Sequence, residues 1–157
     1  LAHVSREPGK TRSMNYFNIN KAWYLVDLPG YGYAKLPKTL RVQWETMTRE
    51  YMSYRANLQC AFLLIDSCVP PQAIDLEFAN SLGEWQVPFV LVFTKSDRKK
   101  AEKNQRAGFL REFEQAFLET WEAMPPYFIT SAETGAGRDE ILDFIQDTNL
   151  NFAKPTI

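Results

Sequence analysis

Long apolar runs, an excess of either charge and a supply of histidine are all missing from this sequence of 157 residues. No apolar stretch approaches the roughly 20 residues that a membrane-spanning helix needs, and no signal peptide is visible. Lysine and arginine total 18 against 19 aspartates and glutamates, a formal net charge of −1. No global field therefore draws the chain onto nucleic acid or an anionic bilayer, and any RNA contact must be local. One histidine and two cysteines, with no Cys-x-x-Cys pair, argue against a zinc site. Cys60 and Cys68 lie in or beside apolar, strand-like sequence and read as buried, reduced thiols.

The remaining composition, 45% hydrophobic and 24% charged, is that of a soluble globular domain with one sizeable core. Apolar runs at Tyr16–Ile19, Ala22–Val26, Ala61–Ile65, Phe89–Phe93 and Tyr127–Thr130 read as strands. The later ones are almost wholly apolar, as expected of strands buried on both faces of a parallel sheet. Between them lie segments of helical period: Leu40, Trp44, Met47, Tyr51 and Tyr54; Ile74, Phe78, Leu82 and Trp85; Leu110, Phe113, Phe117 and Trp121. A last helix carries Ile141, Phe144, Ile145 and Thr148, with Asp139 and Glu140 at the positive end of its dipole. Ser96–Arg106 reads as a loop and helix start, and Asn151–Ile157 as a loose tail after a domain spanning residues 1–150. The alternation predicts an α/β fold, a doubly wound and mostly parallel sheet.

In such sheets the chemistry lies at the carboxyl ends of the strands. Three ends carry polar strings: Asp27-Leu28-Pro29-Gly30, Thr94-Lys95-Ser96-Asp97, and Ser131-Ala132-Glu133 after Thr130. Upstream lies Pro8-Gly9-Lys10-Thr11. Gly-Lys-Thr invites a phosphate-binding P-loop, but G-x-x-x-x-G-K-[ST] requires glycine where Val4 stands, a preceding strand and a following helix. Pro8 and Gly9 break regular structure, and Ser13–Asn20 reads as a strand. A plain surface turn and a switch loop whose threonine reaches a metal-bound phosphate remain open.

Asp-x-x-Gly, Thr-Lys-x-Asp and Ser-Ala, in this order and each at a strand end, resemble the third, fourth and fifth motifs of GTPases. The string Asp27-Leu-Pro-Gly-Tyr-Gly-Tyr-Ala-Lys35, with Pro8–Thr11, Asn15-Tyr16-Phe17, Asp66-Ser67 and Phe93-Thr94-Lys95, resembles the EngB family in particular. The likeness runs from Leu1 to about Asn149. It implies a P-loop GTPase architecture without its first strand and P-loop, whose missing strand would lie beside Ala22–Val26 and Ala61–Ile65. It implies binding of GTP and GDP, Mg²⁺ as cofactor, and a role in assembly of the large ribosomal subunit, with cell division and septation depending on it.

Residue by residue, the resemblance implies that Gly9, Lys10, Thr11, Arg12 and Ser13 form a switch loop, Thr11 coordinating Mg²⁺ through its hydroxyl and meeting the γ-phosphate with its N–H. Asp27 would hold Mg²⁺ through water, and Leu28, Pro29 and Gly30 would follow the γ-phosphate, Gly30 by a close backbone N–H. Asp97 would accept from the ring N–H and the exocyclic amine of guanine, a donor pair adenine does not offer. The stem of Lys95 would lie along the purine face, and the N–H of Ala132 would meet the guanine oxygen, with Thr94, Ser96, Thr130 and Ser131 beside them. Position 94 is threonine where most GTPases carry asparagine, a spelling the EngB family shares. Position 31 is tyrosine and not the water-orienting glutamine of Ras-like enzymes, which points to slow hydrolysis accelerated by a partner or by a monovalent cation such as K⁺.

The alternatives are a turn for Asp27–Gly30, a solvated polar loop for Lys95–Asp97, and a small-residue turn for Ser131-Ala132. Arg98, Lys99, Lys100, Lys103 and Arg106 form a basic run, either a solvated helix start or a contact for rRNA phosphates. Exposed aromatics of Tyr31–Tyr33 are a second candidate surface for a ribosomal partner. No DNA or membrane partner is expected, and the protein is expected to act as a monomer in the bacterial cytoplasm, an organelle being the second choice. Leu1 is not a methionine, and Leu1-Ala2-His3-Val4 reads like the middle of a longer chain. The expectation is an N-terminal truncation, with these 157 residues alone binding GTP weakly or not at all. Rival readings are a nucleotide-free scaffold derived from a GTPase, and a phospho-acceptor domain built around Asp66 or Asp27.

Overall fold

A computed structural model describes residues 14–31, 38–97 and 103–152. These residues form two compact units that divide after Tyr54. The expected switch loop Gly9–Ser13, residues 32–35 of the long glycine-tyrosine string, Arg98, Lys99 and Lys100 of the basic run, and residues 153–157 lie outside the described residues.

The first unit contains strands β1 (Asn15–Ile19) and β2 (Trp23–Asp27) and helix α1 (Lys38–Tyr54). The strands pair antiparallel, from Asn15↔Asp27 to Ile19↔Trp23. Asn20 and Lys21 turn the chain with φ of 52° and 57°, and the Ala22 N–H closes the turn on the Ile19 carbonyl. Two successive left-handed residues match the twist of a hairpin, and asparagine tolerates that region better than most residues. Ala22, expected in the second strand, belongs to this turn. Tyr16 meets Tyr51 of α1 edge-on, with ring centroids 6.3 Å apart.

The second unit alternates strand and helix: β3 (Ala61–Asp66), α2 (Ala73–Glu84), β4 (Phe89–Thr94), α3 (Lys103–Leu118), β5 (Tyr127–Ile129) and α4 (Arg138–Leu150). The sheet has the order β3-β4-β5 and is wholly parallel. β4 lies between its neighbours, and Val90 through Phe93 are at most 3% exposed. That burial on both faces is what the unbroken apolar sequence implied.

Successive side chains of each strand point to opposite faces, and the ring contacts show what covers each. Phe93 packs edge-on against Phe113 of α3. On the other face, Phe62 and Phe128 pack against Phe144 of α4. Helices thus lie on both faces, the doubly wound arrangement expected.

Regular helix in α3 ends at Leu118, three residues before the Trp121 that the period had placed on it. The N–H groups of Thr120 and Trp121 both donate to the Phe117 carbonyl, so Trp121 keeps helical spacing beyond the helix. Its indole stacks on Phe117 at 5.3 Å, and its Nε1 donates to Asn80 Oδ1 of α2 at 2.7 Å. Gly83 of α2 makes room for that ring. A Cβ there would lie 2.4 Å from an indole carbon. Asn151 and Phe152, expected to be loose, are tied back to α4, their N–H groups donating to the carbonyls of Asp147 and Asn149.

Gly83→Ala is expected to destabilise the second unit by about 0.5–2 kcal/mol. Overpacking against the indole outweighs the roughly 0.5–1 kcal/mol that alanine gains over glycine in a helix. Urea unfolding checks this; unchanged or raised stability would show that Trp121 is not held against Gly83.

Candidate functional site

Strand β2 ends in Asp27, an exposed residue facing Asn15 across the hairpin. Asn15 Nδ2 donates to Asp27 Oδ2 at 3.4 Å. Leu28, Pro29 and Gly30 follow, with Pro29 buried and Gly30 exposed. Among the described residues no group of three or more His, Cys, Asp or Glu could hold a metal ion by itself. A lone exposed carboxylate is nonetheless the donor set Mg²⁺ favours, since that ion keeps several waters and shares one or two carboxylates with substrate phosphates.

In the second unit the ends of β3, β4 and β5 meet at one corner. Thr94 closes β4, and Lys95 breaks the strand with φ of 62°, a left-handed conformation that is uncommon for a residue with a Cβ. Ser96 returns its N–H to the Thr130 carbonyl at 3.0 Å, which ties the loop after β4 to the end of β5. Asp97 follows at once. Ser131, 3% exposed, donates its hydroxyl to Asp97 Oδ1 at 2.5 Å. Ser131 Oγ in turn accepts the N–H groups of Glu133 and Thr134 at 3.2 and 3.1 Å. Ser131 therefore organises its own turn and fixes a carboxylate 34 residues away. Ala132 is exposed on that turn.

The turn closes onto α4 through two glycines, Gly135 and Gly137, both with φ near +75°. A Cβ on Gly137 would lie 2.4 Å from the Ile129 carbonyl oxygen. Only glycine lets the start of α4 approach the end of β5 this closely.

Residues Thr94–Asp97, expected to recognise the base, and Thr130–Ala132 are thus brought together. Asp27–Gly30 belong to the first unit. The loop Asp66-Ser67-Cys68 after β3 joins them; sequence reasoning had named Asp66-Ser67 for the family likeness and missed its pairing with Thr94 and Lys95. Lys95 Nζ forms an ion pair with Asp66 Oδ2 at 2.5 Å, and the Cys68 N–H donates to Asp66 Oδ1 at 2.9 Å. Ser67 donates both its N–H and its hydroxyl to the Thr94 carbonyl, at 3.2 and 2.6 Å. The available signal was an acidic strand end beside a strand followed at once by lysine. Partial burial pushes the Asp66 carboxyl upward, but hydrogen bonds from Lys95 and Cys68 and the nearby ammonium outweigh it and hold the group below its usual 3.8. Cys60, farther back at the start of β3, is the opposite case: burial pushes its thiol up to about 11, so it stays neutral and unreactive at physiological pH.

A cavity of about 280 Å³ lies under this corner, between the row Ile65, Phe93 and Ile129 and the side chains of Phe109 and Phe113 on α3. Its mostly apolar lining lacks the converging donors and acceptors a nucleotide needs.

A family model described as "50S ribosome-binding GTPase" matches residues 1–95. The chain is 46% identical over 143 residues to GTP-binding protein At2g22870 of Arabidopsis thaliana, covering 90% of this chain and 48% of that protein. It therefore spans about half the length of this plant relative. It is 45% identical over 152 residues to the probable GTP-binding protein EngB of Christiangramia forsetii, covering 95% of this chain and 74% of that one. Among solved structures, a probable GTP-binding protein EngB superposes with a TM-score of 0.67 at 22% identity, over 94% of this chain and 88% of the other. Era in complex with MgGDPNP and nucleotides of 16S ribosomal RNA superposes with a TM-score of 0.68 at 20% identity, over 98% and 50%. Both likenesses are of fold alone.

Folded Asp66 holds its proton less tightly than unfolded Asp66. Its contribution to stability is complete above the unfolded pKa, near 4, and is lost as pH falls through the lower folded value. The melting-temperature difference between wild type and Asp66→Asn should stay level from pH 8 to 5 and shrink below about pH 4. A difference that grows on acidification would contradict the Lys95 pairing.

Proposed function

This chain belongs to the EngB family of GTP-binding proteins, and from that premise we propose that its base-reading corner is the loop pair Thr94–Asp97 and Thr130–Ala132, with Asp97 selecting guanine. The observation that carries the proposal is the Ser131–Asp97 hydrogen bond, which fixes a carboxylate at the carboxyl ends of two parallel strands. An ionised carboxylate only accepts, and its two oxygens offer about four lone-pair sites. It can accept from Ser131 and still receive the ring N–H and exocyclic amine of guanine. Adenine presents an unprotonated ring nitrogen at the corresponding place, and two lone pairs would then face each other. Ala132, exposed on the adjoining turn, is suited to donate its N–H to the guanine oxygen. Lys95 lies between these groups and the end of β3.

Asp27, Leu28, Pro29 and Gly30, with Gly9–Ser13, are proposed as the phosphate and Mg²⁺ side. The exposed Asp27 carboxylate fits a water-mediated hold on Mg²⁺, and Thr11 would supply a direct ligand. When bound, Mg²⁺ neutralises developing phosphate charge during hydrolysis of GTP to GDP. Tyr31, half-buried just after this string, cannot orient an attacking water as a glutamine does. Hydrolysis by the full-length protein alone is therefore expected to be slow, below about one turnover per minute, and to rise with K⁺ or a ribosomal partner. Turnover of many per second with neither added would contradict this.

Assembly of the large ribosomal subunit is the cellular role proposed, supported by the description of the matching family. Cell division and septation would follow from it. No described helix is long and apolar enough to cross a membrane. A monomer carrying a partial EngB-type domain over residues 1–150 is proposed, in the bacterial cytoplasm or, as second choice, in an organelle.

Titration of the full-length protein with fluorescent GDP, with ATP as competitor, tests the reading. GDP should bind and ATP should not displace it; absence of guanine binding would favour a nucleotide-free scaffold. Asp97→Asn should weaken GDP about a hundredfold or more while improving xanthosine diphosphate, because the amide offers one donor and one acceptor. Equal affinity of wild type and Asp97→Asn for GDP would remove Asp97 from the site.

A further inference from the structure

Each residue of the loop Asp66-Ser67-Cys68 grips the base-reading loop. Ser67 donates twice to the Thr94 carbonyl, and the Cys68 thiol donates to the Lys95 carbonyl at 3.4 Å. Asp66 takes the Lys95 ammonium on one carboxylate oxygen and the Cys68 N–H on the other. The parallel register sets this up: Asp66 lies beside Thr94, one residue behind Lys95, and the left-handed turn at Lys95 lets its side chain come back to the β3 end.

A lysine side chain is ordinarily free to sample many rotamers, and a ligand that lies on its stem must still that motion. Here the ammonium is already tethered, yet 41% of the Lys95 side chain remains exposed. The charged tip is held while part of the side chain stays accessible. That is a pre-set surface for a flat ring.

We propose that Asp66 is a positioning residue for nucleotide binding: by holding the Lys95 ammonium it fixes the lysine stem as a ready-made platform for the purine face. The proposal rests on the guanine reading of Asp97 above and adds a division of labour to it. Stacking does not read the base edge, so Asp66 sets affinity without setting selectivity. Asp97, which reads the base edge, sets selectivity and affinity together.

The test is competition of GDP and IDP against fluorescent GDP on the full-length protein, with thermal melts alongside. IDP keeps the ring N–H and oxygen of guanine and lacks the exocyclic amine. Asp66→Asn, which keeps an acceptor for the Cys68 N–H but loses the charge, should weaken both nucleotides by the same factor, about three- to tenfold. The GDP/IDP ratio should stay at its wild-type value. Lys95→Met keeps an apolar stem and loses the tether, so Asp66→Asn should cost almost nothing more in that background. Equal losses in the two backgrounds would show a merely structural role and overturn the proposal. So would wild-type affinity in Asp66→Asn, or an altered GDP/IDP ratio. Should Asp66→Asn not fold, Asp66→Ser, which also keeps an acceptor for the loop, gives the same readings. Failure of the underlying reading looks different: wild type would bind neither GDP nor IDP, or Asp97→Asn would bind both unchanged.

Discussion

Six residues of β3 lie beside six of β4 in one parallel register, from Ala61↔Phe89 to Asp66↔Thr94, and the chemistry of the second unit follows from where that ladder stops. Because the strands run the same way, their carboxyl ends finish together. Because β4 pairs on its other side with β5, from Leu91↔Tyr127 to Phe93↔Ile129, a third loop arrives at the same corner. A slip of one residue between β3 and β4 would turn the β3 side chains to the opposite face, carrying Ile65 out of the core and Asp66 away from Lys95. Register, set by apolar packing at Leu63, Leu91 and Phe93, thus positions the polar groups that pack almost nothing themselves.

The two ends of this sheet differ in kind. At the amino ends, Phe89 meets Trp121, and Trp121 stacks on Phe117. The carboxyl ends bring together hydroxyls, carboxylates, one ammonium and backbone groups, several of them paired between loops. Buried polar groups are costly unless satisfied, and they are satisfied here across loops far apart in sequence. Asp66 and Lys95 are 29 residues apart, and Asp97 and Ser131 are 34 apart. Such pairs exist only once the sheet has formed, so the corner is assembled by folding and not by local turn preference.

That separation also decides how much was legible beforehand. Strand β4 could be read from Phe89–Phe93 because burial on both faces leaves an unbroken apolar run. The four helices showed through their period. Asp97, Lys95 and Ala132 could be singled out because their spellings are short and their order along the chain is informative. Asp66 could not be given its role, since nothing near it in sequence names Lys95 as its partner. Trp121 was assigned to α3 by its spacing, although regular helix stops at Leu118; the Phe117 carbonyl carries the spacing onward. Gly83 and Gly137 left no trace beyond being glycines, because the need for them comes from an indole and a carbonyl that arrive from elsewhere. The hairpin turn at Asn20 and Lys21 delayed the start of the second strand by one residue for a local reason: two left-handed residues cannot continue a strand.

β4 is the one strand of its sheet whose amides point into a ladder on each side while helices cover both faces. Amides in such a strand exchange with deuterated solvent only when most of the unit opens, whereas those of the three-residue β5 and of a two-stranded hairpin are released by fraying. Lys95, Ser96 and Asp97 leave directly from the end of β4. The Lys95–Asp97 loop is thereby mounted on a strand paired on both sides, and its geometry should persist through fluctuations that loosen the strands around it.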